Sequence, residues 1–310
     1  MWQFLAHFAL FIVALIYGGN YLIAKGLMPD LIGPSGFIVL RVIGGGGLFW
    51  VLRGFMRIRG TWESVERGDL FRLFMCGTTG VAINQLLFFN GLNATSPVNA
   101  SIIMTINPVL VLVISALMLG TAVTARKLVG IGVGAVGAIS LLVIGANQEQ
   151  LHASWQGDLM VLINAMSYGF YLVLVKPLMA KYRPLTVISW VFLFGALWVV
   201  PIGIQQAAAI DWSAFSAIHW NGLAYVVLAT TFLVYLLNIF ALLHVQPTVV
   251  SIYIYLQPLL ATGFSWWASR DGGIDYTADL DGWTLLCAGA IFTGVALVSW
   301  PTRRKSAPSA

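Results

Sequence analysis

The stretch "MTINPVLVLVI", Met104–Ile114, sets a proline in the middle of an unbroken apolar run, and "IYLQPLLATGF", Ile254–Phe264, nearly repeats it. In both, an amide side chain (Asn107, Gln257) stands immediately before the proline (Pro108, Pro258). A proline lacks the N–H that would bond the carbonyl four residues earlier, here that of Met104 or Ile254. In hydrocarbon, backbone freed in this way is tolerated only against protein or a water-filled cavity. Pro108 and Pro258 therefore read as paired kinks, hinge or gating points near the middle of two spans. The amides either bond the freed carbonyl or face a bound molecule.

Composition decides the solvent. Hydrophobic residues make up 59% of the 310-residue chain and charged residues 9%, whereas a soluble domain carries about 25% charged residues. Runs of eighteen or more apolar residues recur from end to end, each long enough to cross the ~30 Å hydrocarbon core as a helix. The expected class is an all-α membrane protein. The first run has no basic region before it, no A-x-A cleavage site and an apolar part too long for a signal peptide, and reads as a span. A net charge of +5 sits in short hinges, the pattern of membrane topology and not of a nucleic-acid surface. Cys76 and Cys287 lie far apart in apolar runs and suggest neither a disulfide framework nor a metal site.

Apolar runs between polar breaks give ten transmembrane helices, at 4–25, 34–52, 70–91, 96–119, 127–146, 158–180, 184–205, 220–243, 247–269 and 282–300. Alternate hinges collect Arg53, Arg57, Arg59, Arg67, Arg72, Arg126, Lys127, Lys181 and Arg183, and the tail adds Arg303, Arg304 and Lys305. The opposite hinges hold Asp30, Glu149, Asp211, Asp271, Asp275, Asp279 and Asp281, with Arg270 the one clear cation. Cytoplasmic loops carry the excess of Lys and Arg, so both termini are expected in the cytoplasm.

The chain also repeats itself. "YGGNYLIAKGLM" (Tyr17–Met28) realigns on "YGFYLVLVKPLM" (Tyr168–Met179), and "SPVNASIIMTINPVL" (Ser96–Leu110) on "QPTVVSIYIYLQPLL" (Gln246–Leu260), at offsets of 151 and 150. Paired Lys25/Lys176, Pro97/Pro247 and Pro108/Pro258 are what chance similarity of apolar runs explains poorly. Five spans per repeat is an odd number, so the second copy is inverted. The expected organisation is an N-terminal repeat 1–150, an inverted C-terminal repeat 151–300 and a basic cytoplasmic tail 301–310, the two repeats enclosing a central cavity. Inverted repeats of this kind characterise secondary transporters, with substrate sites near the midplane between the halves.

Ten spans in two halves, proline-bearing fourth and ninth spans, the early "YGGNYLIAK" and the arginine of "LRVIGGGGL" resemble the EamA-type members of the drug/metabolite transporter superfamily. Within it, the likeness is to the YddG-type exporters of aromatic and other amino acids. The resemblance implies a central cavity, export of small metabolites across the cell inner membrane, and no cofactor. One departure is plain: Arg41 has no counterpart in the second half, where Val191 or Phe192 aligns.

Polar groups in hydrocarbon usually face the bundle interior or a watery path. The intramembrane charged residues are Lys25, Arg41 and Lys176. The two lysines lie near span ends, where snorkelling competes with function. Arg41 lies roughly 10 Å into its span at 1.5 Å per residue, and either snorkels, caps backbone carbonyls or meets a substrate carboxylate. The substrate-binding candidates are Tyr17, Asn20, Thr78, Thr79, Asn84, Ser101, Asn107, Tyr168, Tyr171, Tyr235, Tyr253 and Gln257. Interhelical hydrogen bonds are the competing role for each. Tyrosines with Trp190, Trp266 and Trp267 would make walls that suit zwitterions with large apolar side chains. No Asp or Glu lies deep in a span, and Asp158, at the start of the sixth, is the nearest. Facilitated export down the gradient is expected over proton-coupled antiport.

Some motifs are misleading. "GVGAVG" (Gly132–Gly137) has dinucleotide-fingerprint spacing but lies inside a span, where Gly130, Gly134 and Ala138 repeat as small-xxx-small, a helix-packing pattern. "GGGG" (Gly44–Gly47) likewise indicates tight packing or a flexible point. An intramembrane enzyme acting on lipid-linked substrates would need a nucleophile, acid–base pair or metal set at depth, and no catalytic, metal or cofactor residues suggest themselves. The expected partners are a small-molecule substrate and the bilayer, with no nucleic acid, in a monomer or weak homodimer.

Overall fold

The computed structural model describes residues 2–120, 124–147, 154–242, 244, 253–270 and 281–299. Among them there is no strand. The helices are α1 (Trp2–Leu27), α2 (Pro34–Ile58), α3 (Arg67–Gly77), α4 (Asn84–Ala94), α5 (Pro97–Met104), α6 (Asn107–Leu119), α7 (Ala125–Asn147), α8 (Trp155–Lys181) and α9 (Pro184–Ala208). They continue as α10 (Ala217–Ala224), α11 (Val234–Leu242), α12 (Leu256–Arg270) and α13 (Gly282–Ser299). A π-helical segment, Thr78–Ile83, joins α3 to α4, and a second, Tyr225–Leu233, joins α10 to α11. Proline opens α2, α5 and α9, at the position where a missing N–H has no partner to lose. Ser96 and Ser154 cap α5 and α8 by accepting from the backbone N–H of Asn99 and Gly157.

Among the described residues, seven stretches are long and apolar enough to cross a membrane: Trp2–Leu27, Pro34–Ile58, Arg67–Ala94, Pro97–Met118, Trp155–Lys181, Pro184–Ala208 and Ala217–Asn238. Their outward faces are greasy. Phe4, Ile58, Phe71, Leu117 and Ile218 are 72–82% exposed, a surface that suits lipid and not water. The start of the expected span 247–269, Glu149, Asp271, Asp275, Asp279 and the tail 301–310 lie outside the described residues.

Packing runs mainly between the first and second halves of the chain. α1 lies on α12 and α11, α2 on α9, α4 and α6 on α8, α3 on α9, and α7 on α13. Glycines permit the closest approaches. A Cβ at Gly294 would stand 2.5 Å from the Gly130 carbonyl O, and one at Gly137 would stand 2.9 Å from the Cys287 carbonyl O. The small-residue stripe of α7 is thus a helix-packing seam against α13. In α2, Gly44 and Gly45 admit Val227 and Thr231 of the second π-helical segment.

The proline sites are breaks rather than kinks. Thr105 and Ile106 have φ/ψ of −67/−14 and −73/−12, and their N–H groups bond back three residues, to Ile102 and Ile103. α6 restarts at Asn107, so Pro108 falls in its first turn. A 3₁₀ turn, Tyr253–Tyr255, precedes α12, and Pro258 again falls in the first turn. The chain turns each proline from an interior defect into a helix start, and at the first of them the Met104 carbonyl takes its donor from the Asn107 side chain instead of a backbone N–H.

Candidate functional site

Two of the expected tyrosines, Tyr17 and Tyr235, face one arginine, and two more, Tyr168 and Tyr171, adjoin them. Tyr17 (α1), Tyr168 and Tyr171 (α8), Tyr235 (α11) and Arg41 (α2) lie within electrostatic range of Tyr17 or of one another. The Tyr168 and Tyr171 rings are 5.9 Å apart. Tyr171 and Arg41 are buried, whereas Tyr17, Tyr168 and Tyr235 keep part of their surface accessible. Phe49 and Phe192 seal one side, with Phe192 5.1 Å from the Tyr235 ring.

The two π-helical segments border this cluster. Gly80, in the first, has the Tyr171 ring lying directly over its Cα, where any Cβ would collide. In the second, Arg41 donates from Nε to Thr231 Oγ1 at 2.6 Å and from Nη2 to the Thr230 carbonyl at 3.2 Å. A π turn loosens the regular ladder and recurs at functional positions. Here it presents a carbonyl and a hydroxyl to the guanidinium, which also lies 5.1 Å from the Phe89 ring centre.

A second polar group surrounds the broken helix. Asn107 Nδ2 donates to the Met104 carbonyl at 3.0 Å, the acceptor that Pro108 leaves without its helical donor. Asn164 Nδ2 donates to Met104 Sδ at 3.1 Å, and Asn84 Nδ2 donates to Asn164 Oδ1. Asn107 Oδ1 is buried with no hydrogen-bond partner. Gln257 accepts a 3.0 Å hydrogen bond from Tyr21.

The other candidates scatter. Asn20 is buried, its Oδ1 without a partner. Thr78 and Thr79 donate back to the Phe74 and Met75 carbonyls of α3, and Ser101 donates to the Val98 carbonyl within α5. Tyr253 pairs with His7 at 2.9 Å, roughly 15 Å along α1 from Tyr17 at 1.5 Å per residue. Lys176 is exposed. Lys25 donates to the carbonyls of Leu92, Asn93 and Thr95 at 2.6–2.8 Å and closes the end of α4. Thr95 in turn donates to Asp158, a fully buried carboxylate at the start of α8. Sequence inspection overlooked Tyr21, although it lies one turn from Tyr17 on the same helix face. Thr230 and Thr231 gave no signal, because their role depends on Arg41, which is remote in the chain.

The profile of the EamA-like transporter family matches residues 4–143 and again 155–300. The chain belongs to this family: it is a multi-pass membrane transporter of a small molecule and not an enzyme. Among its relatives is an uncharacterized transporter of Archaeoglobus fulgidus, 24% identical over 88% of this chain and 92% of that one. The uncharacterized transporter YetK of Bacillus subtilis is 23% identical over 69% of this chain and 63% of its own length. A probable terminal-alkyne amino-acid exporter of Streptantibioticus cattleyicolor is 29% identical over 43% of this chain and 44% of its own. A solved crystal structure shares the fold with a TM-score of 0.62, at 16% identity, over 98% of this chain and 99% of that one.

Proposed function

We propose that the chain exports small metabolites, amino acids including aromatic ones, across the cell inner membrane by alternating access, down the substrate gradient. On this reading residues 1–150 and 151–300 are inverted five-helix halves, ten spans in all, around a central cavity. Residues 301–310 form a basic tail, and both termini are cytoplasmic. The observation that carries it is a tyrosine cluster drawn from helices of both halves, in which Tyr17 and Tyr235 face Arg41 and Tyr168 and Tyr171 adjoin those two phenols. Phenol rings offer apolar faces and hydroxyls together, as a zwitterion with a large side chain requires. The amino-acid exporter among the relatives supports the substrate class.

Packing supports the two halves. α1 lies on α11 and α12 as α8 lies on α4 and α6, while α2 lies on the second π-helical segment as α9 lies on the first. The pairs α2–α9 and α7–α13 are each related to themselves by the same exchange. Two copies of one unit about a two-fold axis in the membrane plane generate such a pattern. The orientation rests on the basic hinges. On that face Lys181 ion-pairs with Glu66 and Asp69, tying the α2–α3 hinge to the end of α8.

A proton-coupled antiporter is the second reading, favoured by the burial of Asp158. Counterflow of radiolabelled amino acids in proteoliposomes tests the first: aromatic amino acids accumulate against loaded unlabelled substrate. Tyr17→Ala, Tyr168→Ala and Gln257→Ala slow it while the protein elutes as folded. Absence of exchange across the amino-acid panel overturns the proposal.

A further inference from the structure

Arg41 is 5% exposed in the middle of the bundle and carries a charge it cannot shed. Its contacts are one-sided. Nε and one Nη2 hydrogen, the lateral edge of the guanidinium, are taken by Thr231 and Thr230. Nη1 has no acceptor among the described residues, so the end-on fork of Nη1 and the second Nη2 hydrogen is unspent. Nor does Arg41 form an ion pair with any acidic side chain among the described residues; the ionisable groups facing it are the phenols of Tyr17 and Tyr235. Phenols with an ordinary pKa near 10 are neutral at physiological pH. A buried cation held only by a hydroxyl, a carbonyl and a ring face has no counter-charge, an arrangement that burial penalises unless an anion completes it.

We propose that the missing counter-charge is the substrate's: the end-on fork of Arg41 binds a carboxylate of the transported molecule. The inference rests on the export reading and narrows it to substrates that carry a carboxylate. Two parallel N–H···O bonds are the geometry in which guanidinium and carboxylate match. The Thr231 and Thr230 contacts hold the plane, and Gly45 makes room for Thr231 beside α2. Cationic amines and diamines find a like charge here and, among the described residues, no acidic side chain acting on Arg41 to pair with.

Thermal shift of the purified protein and counterflow test this together. The probes are L-phenylalanine, 3-phenylpropanoate, phenylalaninamide, phenethylamine and sodium chloride. The two carboxylates are expected to stabilise the wild type and to compete in counterflow, with the amide and the amine inert. Arg41→Lys keeps the charge but loses the fork, and is expected to weaken carboxylate affinity about tenfold or more, as loss of a bidentate pair implies. Thr231→Val retains Arg41 but removes the hydroxyl that orients its guanidinium, and a smaller fall in affinity there separates loss of the anchor from loss of folding. Carboxylate and amide acting equally, unchanged affinity in Arg41→Lys, or a shift with chloride alone each overturn the anchor. Should amino acids exchange at wild-type rates in Arg41→Lys, the anchor falls and the export reading survives. Should the wild type exchange only the amine or the amide, both fall.

Discussion

Asn107 repairs the backbone that its own neighbour damages. Its Nδ2 donates to the Met104 carbonyl, the acceptor lost to the Pro108 ring. An unpaired buried carbonyl costs about 1–3 kcal/mol, so Asn107→Ala is expected to lose that much stability. Pro108→Ala restores an N–H that can serve the same carbonyl. The double variant Asn107→Ala/Pro108→Ala should therefore regain most of the loss. Unfolding midpoints of the four proteins give the coupling energy, and strict additivity would refute the repair. Arg41 illustrates the limit of reading single residues. Its depth is legible in the sequence, but its partners Thr230 and Thr231 stand 189 and 190 residues away. Thr78, Thr79 and Ser101 mislead in the other direction: polar residues in a span invite a functional role, yet their hydroxyls bond carbonyls three or four residues back.

At the scale of elements, irregularity is concentrated where the polar side chains are. The first π-helical segment meets Tyr171, the second holds Arg41, and the α5–α6 break carries Asn107. The straight elements α7 and α13 do the opposite work. Their seam at Gly130, Gly134 and Gly294 brings backbone against backbone. Gly294→Ala puts a methyl 2.5 Å from the Gly130 carbonyl O and the Gly134 N. Overpacking of this kind costs about 1–3 kcal/mol. The variant is expected to melt several degrees lower in detergent with its counterflow rate per folded molecule retained; an unchanged melting temperature would refute the seam. The prolines were visible in sequence, but whether they kink a helix or start one depends on where the i−3 bonds of Thr105 and Ile106 take over.

For the whole molecule, energy coupling is the open choice between the two readings. The buried carboxylate among the described residues is Asp158, at the first turn of α8 and not beside the tyrosines, and Thr95 bonds it. Facilitated export predicts that an imposed pH gradient drives no uphill accumulation and that Asp158→Asn exchanges substrate at close to the wild-type rate. Proteoliposomes with opposed pH gradients measure both. Uphill transport that vanishes in Asp158→Asn would decide for the antiporter.

The sequence by itself determined the solvent and the class of this protein. With 9% charged residues, no arrangement of the chain can cover itself for water, and that constraint holds whatever the tertiary contacts are. It also raises the expectation of a repeat, since Lys25/Lys176 recur at an offset of 151 and Pro108/Pro258 at 150. Which polar residues share a site was left to the tertiary structure. Helix rotation and crossing decide whether a tyrosine meets Arg41, as Tyr235 does, or a histidine at the far end of α1, as Tyr253 does. Those contacts join residues that are remote in the chain, and nothing local in sequence encodes them.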